Sequence, residues 1–273
     1  MLLLLKWDIS PEIFRIGGFA LRYYSLGFLL AFTASYMIFS YMLKREGKEK
    51  VLLDRLLVYI IVGTLAGARL GHCLFYEFGY FSRHPWEIIL PFSFSTGHFE
   101  FTGYQGLASH GGAVGILLAG WLFARKYQVS YSWLLDRLAV VVPLAGCFVR
   151  LGNFFNSEII GRPTDLPWAV VFSRVDNIPR HPGQLYEAIC YLVIFALLFF
   201  LYTRNTAAEK PGYLLGLFLV LVFSARFFIE FVKENQEAFE NTQLLNMGQL
   251  LSLPLIAAGI YLIIFYRKNY GKN

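Results

Sequence analysis

The sequence predicts an all-α, polytopic membrane protein, and three observations carry that prediction. Hydrophobic residues make up 57% of the 273 and charged residues 15%, against about 45–50% and about 25% in a soluble domain. Apolar runs of bilayer-spanning length recur along the chain. Basic residues cluster in the short segments between those runs, which is how orientation in a membrane is encoded. A chain with 27 phenylalanines and a mean hydropathy of +0.53 cannot cover itself with polar surface in water. The composition also excludes intrinsic disorder and a disulfide-built secreted domain. The scattered basic residues behind the net charge of +6 form no stripe for nucleic acid.

Residues 1–5, followed by Lys6, are too short for the apolar core of a signal peptide and carry the charge on the wrong side; they read as an interfacial segment. About seven apolar runs follow, at 17–43, 56–76, 110–123, 133–155, 185–202, 213–232 and 247–266. The third reaches spanning length when extended to 108–124. Pro143 and Pro254 are expected to kink their helices. Lys44, Arg45, Lys48 and Lys50 follow the first run, Arg125 and Lys126 the third, Arg204 and Lys210 the fifth, and Arg267, Lys268 and Lys272 the last. Positive charge inside then places the N-terminus outside and the C-terminus in the cytoplasm.

Residues 1–273 are thus expected to form a single integral membrane domain with two long external segments. The segment 77–109 mixes Phe78, Tyr80, Phe81, Trp86 and Phe92 with Arg83 and Glu87, as suits an arm lying among lipid headgroups. The segment 157–184 holds Arg162, Asp165, Asp176 and Arg180 among prolines and reads as a small water-facing head. No internal repeat is present, which weighs against an inverted-repeat transporter. Cys73, Cys147 and Cys190 lie in apolar runs without CxxC spacing and read as small buried hydrophobes.

Charged groups within a span are unfavourable by at least about 2.5–3.5 kcal/mol at its centre, so each is a functional candidate. Arg22 and Tyr24 fall in the first span, Arg69 and His72 in the second, His110 at the head of the third, and Arg150, Asn153 and Asn156 late in the fourth. Gln184 and Glu187 open the fifth, and Arg226 and Glu230 come late in the sixth. On the deduced topology every one of these lands in the outer half of the bilayer. The inner half keeps Asp54/Arg55 and Asp136/Arg137, expected to be structural pairs. An arginine offers a planar fork suited to phosphate, so the outer cluster points to an anionic phospholipid headgroup. Arg150 and Asn153 share a helix face, and Arg226 and Glu230 are spaced to pair along theirs.

Each signal has a plainer alternative. Arg226 and Glu230 suit an ordinary intrahelical pair, His110 beside Gly111 and Gly112 suits a close helix crossing, and Tyr24 suits an aromatic belt. A non-catalytic transporter or receptor for an anionic lipid or solute would use the same arginines. No metal site is expected, since His72, His84, His98, His110 and His181 lack paired ligand spacing.

The stretch R-L-G-N-F-F-N-S-E-I-I-G, from Arg150 to Gly161, resembles the signature R-x-G-N-F-x-N-x-E-x-x-G of the prolipoprotein diacylglyceryl transferases. Further blocks agree in order: L-R-Y-Y ending at Tyr24, G-A-R-L-G around Arg69, G-L-A-S-H-G-G around His110, R-H-P-G-Q-L-Y-E from Arg180 to Glu187, R-F-F-I-E-F from Arg226, and M-G-Q-L-L-S-L-P from Met247. The chain departs from the family pattern at Val149, where a glycine is usual, and at Val222, where a tyrosine is common.

The resemblance implies a bacterial inner-membrane enzyme that uses no cofactor. Such an enzyme moves the diacylglyceryl group of phosphatidylglycerol onto the lipobox cysteine of a prolipoprotein signal peptide, leaving a thioether and glycerol phosphate. It implies His110 as general base, Arg150 and Arg226 as phosphate ligands, and catalytic parts for Tyr24 and Glu158. The headgroup would be bound by Arg150, Asn153, Arg226, Glu230, Arg69, Asn156, Gly161 and Gln184.

Overall fold

The computed structural model describes residues 5–17, 19–90, 92–93, 100–101, 106–204, 211–234 and 244–270. The chain begins with strands β1 (Leu5–Trp7), β2 (Glu12–Ile16) and β3 (Phe19–Arg22), then helices α1 (Tyr23–Arg45), α2 (Lys50–Phe75) and the one-turn α3 (Phe78–Phe81). A 3-10 turn (Pro85–Ile88) and strands β4 (Phe92–Ser93) and β5 (Glu100–Phe101) lead to α4 (Ser109–Lys126) and α5 (Tyr131–Asn156). Strands β6 (Val170–Phe172) and β7 (Pro179–Arg180) precede α6 (Gly183–Thr203), α7 (Tyr213–Ile229) with a 3-10 extension (Glu230–Val232), and α8 (Met247–Tyr270). The fold is mostly helical, consistent with the expected all-α polytopic membrane protein, with a few short strands added. The short strands lie between or before the long helices, where the backbone can pair locally instead of continuing a helix.

Among the described residues, six helices are long and apolar enough to cross a membrane: α1, α2, α5, α6, α7 with its extension, and α8. The 18 residues of α4 are not among them. Large apolar side chains such as Val62, Leu65, Leu118, Ile189, Val193 and Ile264 point outward, an arrangement suited to lipid rather than water. The first span starts later than expected. Residues 19–22 form β3, paired antiparallel with β2 so that Glu12 lies opposite Arg22, and Arg22 therefore lies outside the helix. Pro143 and Pro254 do sit within α5 and α8.

The chain divides into two compact units, Met1–Met42 with Leu135–Asn273, and Leu43–Leu134. In the first, β1 runs parallel to β6, which pairs antiparallel with β7. This small sheet covers a core of Phe154, Ile160, Val170 and Phe172, with Trp7 and Leu185 against it. Asp136 and Arg137, expected to be a structural pair, feel each other's charge, and each also has a further task. The Asp136 carboxylate accepts the backbone N–H groups of Gly212 at 2.7 Å and Leu215 at 2.9 Å. It thus caps α7, whose own preceding residue, Gly212, has no side chain to do so. Arg137 lies over the Tyr202 ring, 5.8 Å from its centroid. At α8, Asn246 and Gln249 cap each other's backbone N–H groups, at 2.9 and 3.1 Å, a reciprocal capping box.

In the second unit α2 and α4 touch backbone to backbone. A Cβ at Gly67 would run into the Gly111 carbonyl oxygen, and one at Gly111 into that of Gly67. Only glycine on both sides permits this crossing, and membrane helices use small residues in this way.

Candidate active site

The last turns of α5 and the sharp turn after it build one side of the site. Ser157 and Ile159 both adopt left-handed backbone, with φ 56°, and a β-branched residue there is strained. Strain at this turn sends the chain back on itself, so that Glu158, between them, folds over the end of α5. Its carboxylate accepts from Asn153 Nδ2 at 3.2 Å and from Asn156 Nδ2 at 3.0 Å. Its carbonyl accepts from Gln184 Nε2 at 2.6 Å. Asn153 Oδ1 in turn accepts from Arg150 Nη1 at 3.2 Å. The Tyr24 hydroxyl, from the first turns of α1, reaches Asn153 and feels the charges of Glu158 and Arg150. The Tyr24 ring packs so tightly on α5 that a Cβ at Gly152 would lie 3.0 Å from it.

The other side comes from α6 and the end of α7. Gln184, Glu187 and Tyr191 follow one another along a single face of α6, and all are buried. Glu187 Oε2 lies 2.8 Å from Arg150 Nε, and Glu187 Oε1 lies 3.7 Å from Lys233 Nζ. These are ion-pair contacts, for neither carboxylate oxygen accepts an aligned hydrogen bond from a described residue. Lys233 donates to Glu230 Oε2 at 2.8 Å. An alternating row Arg150–Glu187–Lys233–Glu230 results, in which each buried charge faces an opposite one, as burial requires. The Tyr191 hydroxyl lies within reach of Arg150 and within electrostatic range of Arg226. Arg226, half-buried, makes no hydrogen bond or ion pair with any described residue. The expected Arg226–Glu230 pair is therefore not formed, because Lys233 takes the carboxylate. Asn156 Oδ1 and Gln184 Oε1 are buried acceptors without a partner among the described residues.

Gly161 closes the turn beside Lys233. Its backbone bridges antiparallel to Lys233, and a Cβ there would strike the His181 carbonyl oxygen and come within 2.8 Å of that of Val232. Beyond it the head is braced by Arg180, which donates to Asp176 at 2.6 Å and to the Gly161 carbonyl at 3.2 Å. The Arg180 guanidinium holds the Asp176 carboxyl below the usual carboxylate range. Burial lowers the pKa of His181, whose Nδ1 lies 3.2 Å from the Tyr186 hydroxyl.

Arg150, Asn153, Asn156, Glu158, Gly161, Gln184, Tyr24, Glu230 and Arg226 thus all belong to the first unit, and all but Arg226 join one contact network. His110 and Arg69 belong to the second. His110 is exposed in the first turn of α4. Arg69 donates to the Glu87 carbonyl at 2.6 Å and the Ile88 carbonyl at 3.2 Å, with its guanidinium 4.8 Å from the Phe81 ring centroid. It anchors the 77–90 segment from α2. His98 lies outside the described residues. Sequence reasoning missed Lys233 and Tyr191 and gave Glu187 no partner. A basic residue three after Glu230 was the available signal for Lys233. Val222, where the family pattern has a tyrosine, is buried on α7, and the phenol beside the two arginines comes from α6 as Tyr191.

Fold and site together define a multi-pass membrane protein with an arginine, amide and carboxylate cluster at the ends of its helices. A sequence model of the prolipoprotein diacylglyceryl transferase family matches residues 11–265. The chain is 46% identical to the phosphatidylglycerol–prolipoprotein diacylglyceryl transferase of Bacteroides fragilis, over 98% of each chain. It is 46% identical to that of Tolumonas auensis, over 98% of this chain and 100% of the relative. Identity to that of Chloroherpeton thalassium is 43%, over 94% of this chain and 92% of the relative. The chain belongs to the prolipoprotein diacylglyceryl transferase family and is a transferase.

Proposed function

We propose that this protein transfers the diacylglyceryl group of phosphatidylglycerol to the lipobox cysteine thiol of a prolipoprotein signal peptide, in the bacterial inner membrane. The observation that carries the reading is Arg226, a half-buried guanidinium with no partner among the described residues, beside a Tyr191 that also faces Arg150. Such a group suits the phosphodiester of a lipid headgroup. Arg150, steadied by Glu187 and Asn153, takes the other side of the phosphate. The free acceptors on Asn156 and Gln184 suit the hydroxyls of a glycerol headgroup.

In the reaction the cysteine sulfur attacks the glycerol carbon of the diacylglyceryl moiety. A C–S bond forms, the C–O bond to phosphate breaks, and its electron pair leaves on the phosphate oxygen as glycerol phosphate. Arg150 and Arg226 stabilise that developing charge, an electrostatic role best filled by groups already in place. The thiol, with a free pKa of about 8.5, must lose its proton, and His110 accepts it as general base. Tyr24, Asn153, Glu158 and Gly161 hold the turn that presents Arg150. Arg69 is assigned to the arm rather than to the phosphate.

We place α4 as a seventh span, the N-terminus outside, segment 77–109 as an interfacial arm and 157–184 as an external head, with the site in the outer half of the bilayer. Vesicles holding the full chain, phosphatidylglycerol and a lipobox peptide test the function. Release of glycerol phosphate with a lipidated peptide is expected. Saturable binding of phosphatidylglycerol without either product would instead make the protein a lipid receptor or transporter. His110→Ala with near-normal turnover across pH would remove the base assignment alone.

A further inference from the structure

Arg226 and Glu230 stand four residues apart, where opposite charges on one helix ordinarily pair. Here they do not. Glu230 Oε2 is held 2.8 Å from Lys233 Nζ, and the same ammonium faces Glu187 Oε1 at 3.7 Å. Lys233 is itself 1% exposed, so its charge is tied to these two carboxylates. It is also fixed along its length. Its backbone bridges to Gly161, its carbonyl accepts from Arg162 Nε at 3.0 Å, and its stem lies over Gly183, where a Cβ would meet Cγ at 3.2 Å. The ammonium therefore cannot follow Glu230 toward Arg226.

The geometry points to Lys233 as a positioning residue that holds the Glu230 carboxylate off Arg226 and so keeps that guanidinium free for an anionic phosphate. Without Lys233, Glu230 is released one helical turn from Arg226. The pair would then close and compete with the headgroup. Nothing in the sequence pattern of the site assigns Lys233 this part, and the inference rests on Arg226 being a phosphate ligand.

The test is steady-state transfer to a lipobox peptide by the full chain in vesicles, with the mole fraction of phosphatidylglycerol varied. Lys233→Met should raise KM for phosphatidylglycerol about tenfold, the effect of a 1.4 kcal/mol competitor. Lys233→Arg keeps the cation and should stay within about twofold. The deciding comparison sets Lys233→Met/Glu230→Gln against Glu230→Gln alone. Equal KM values are expected, because no carboxylate remains to be held. The double variant removes both charges of a buried pair, which folds tolerate better than removal of one, so the comparison stands even if Lys233→Met alone does not fold. A higher KM in the double variant than in Glu230→Gln, or a normal KM in Lys233→Met, overturns the inference. Arg226→Ala separates the two levels. An unchanged KM there refutes the phosphate reading of Arg226, whereas a raised KM there with a normal one in Lys233→Met refutes only the role of Lys233.

Discussion

Arg69 and Arg150 look alike in the sequence, each an arginine inside an apolar run beside small residues, and the structure gives them opposite occupations. Arg69 spends its donors on the Glu87 and Ile88 carbonyls and lays its plane on Phe81. Backbone carbonyls and a ring hold a guanidinium and tie it to one segment. Arg150 instead faces the Glu187 carboxylate and the Asn153 amide, and Arg226 nearby keeps its donors free of described partners. A charge within a span is thus a functional candidate only until its partner is known. Carbonyl partners mark an anchor, and carboxylates held in turn by other cations mark a site.

The comparison is most easily broken by exchanging the two kinds of arginine. Arg226→Ala should lower kcat/KM for transfer about 100- to 1,000-fold, the usual effect of losing one donor to a developing anion, measured as lipidated peptide formed per folded molecule. Arg150→Lys should lose roughly 100-fold, since a point charge does not reproduce a fork; full activity there would remove the fork from the account. Glu187→Ala leaves Arg150 and Lys233 facing no carboxylate between them and should destabilise the fold by about 3–5 kcal/mol, read from thermal unfolding in detergent. Asp136→Ala, near the start of α5, should remove the cap of α7. A loss of about 1–2 kcal/mol is expected, with unchanged activity per folded molecule. That contrast separates breaking a buried row of ion pairs from removing a helix cap.

The smallest effect concerns the head. Asp176 has its pKa lowered by Arg180, so its contribution is present above the unfolded carboxylate value of about 3.9 and is lost as pH falls through the lower folded value. His181, lowered by burial, favours the folded head above its unfolded value of about 6.5 and opposes it increasingly as pH falls below. Hydrogen-exchange protection of residues 161–182, corrected for the intrinsic pH dependence of exchange, should therefore fall in two stages on acidification, first below about pH 6.5 and then below about pH 4. Protection that rises on acidification would contradict both assignments.

Much of this architecture was legible in the residues alone. The positions of α2, α5, α6, α7 and α8 follow from apolar run length, and the turn carrying Glu158 was marked by its block of amides and a closing glycine. Three features were not legible, each for a physical reason. The β2–β3 hairpin is apolar enough to read as the start of α1, because hydropathy does not distinguish strand from helix over so few residues. The Arg226–Glu230 pairing rule failed because it considers one helix in isolation, and Lys233 competes from beyond the end of α7. The cap that Asp136 supplies to α7 was not legible because its recipients, Gly212 and Leu215, lie far along the chain and leave no local pattern.

The central claim is that the cluster of α5, α6 and α7 acts on the lipid phosphate, while Arg69 holds an arm. Transfer of diacylglycerol to a lipobox peptide, followed by mass spectrometry in vesicles carrying Arg226→Ala or Arg69→Ala at matched levels of folded protein, tests it most directly. The account predicts product at the wild-type site reduced at least about 100-fold by Arg226→Ala and less than about tenfold by Arg69→Ala. Equal losses in the two variants, or a loss confined to Arg69→Ala, would contradict it.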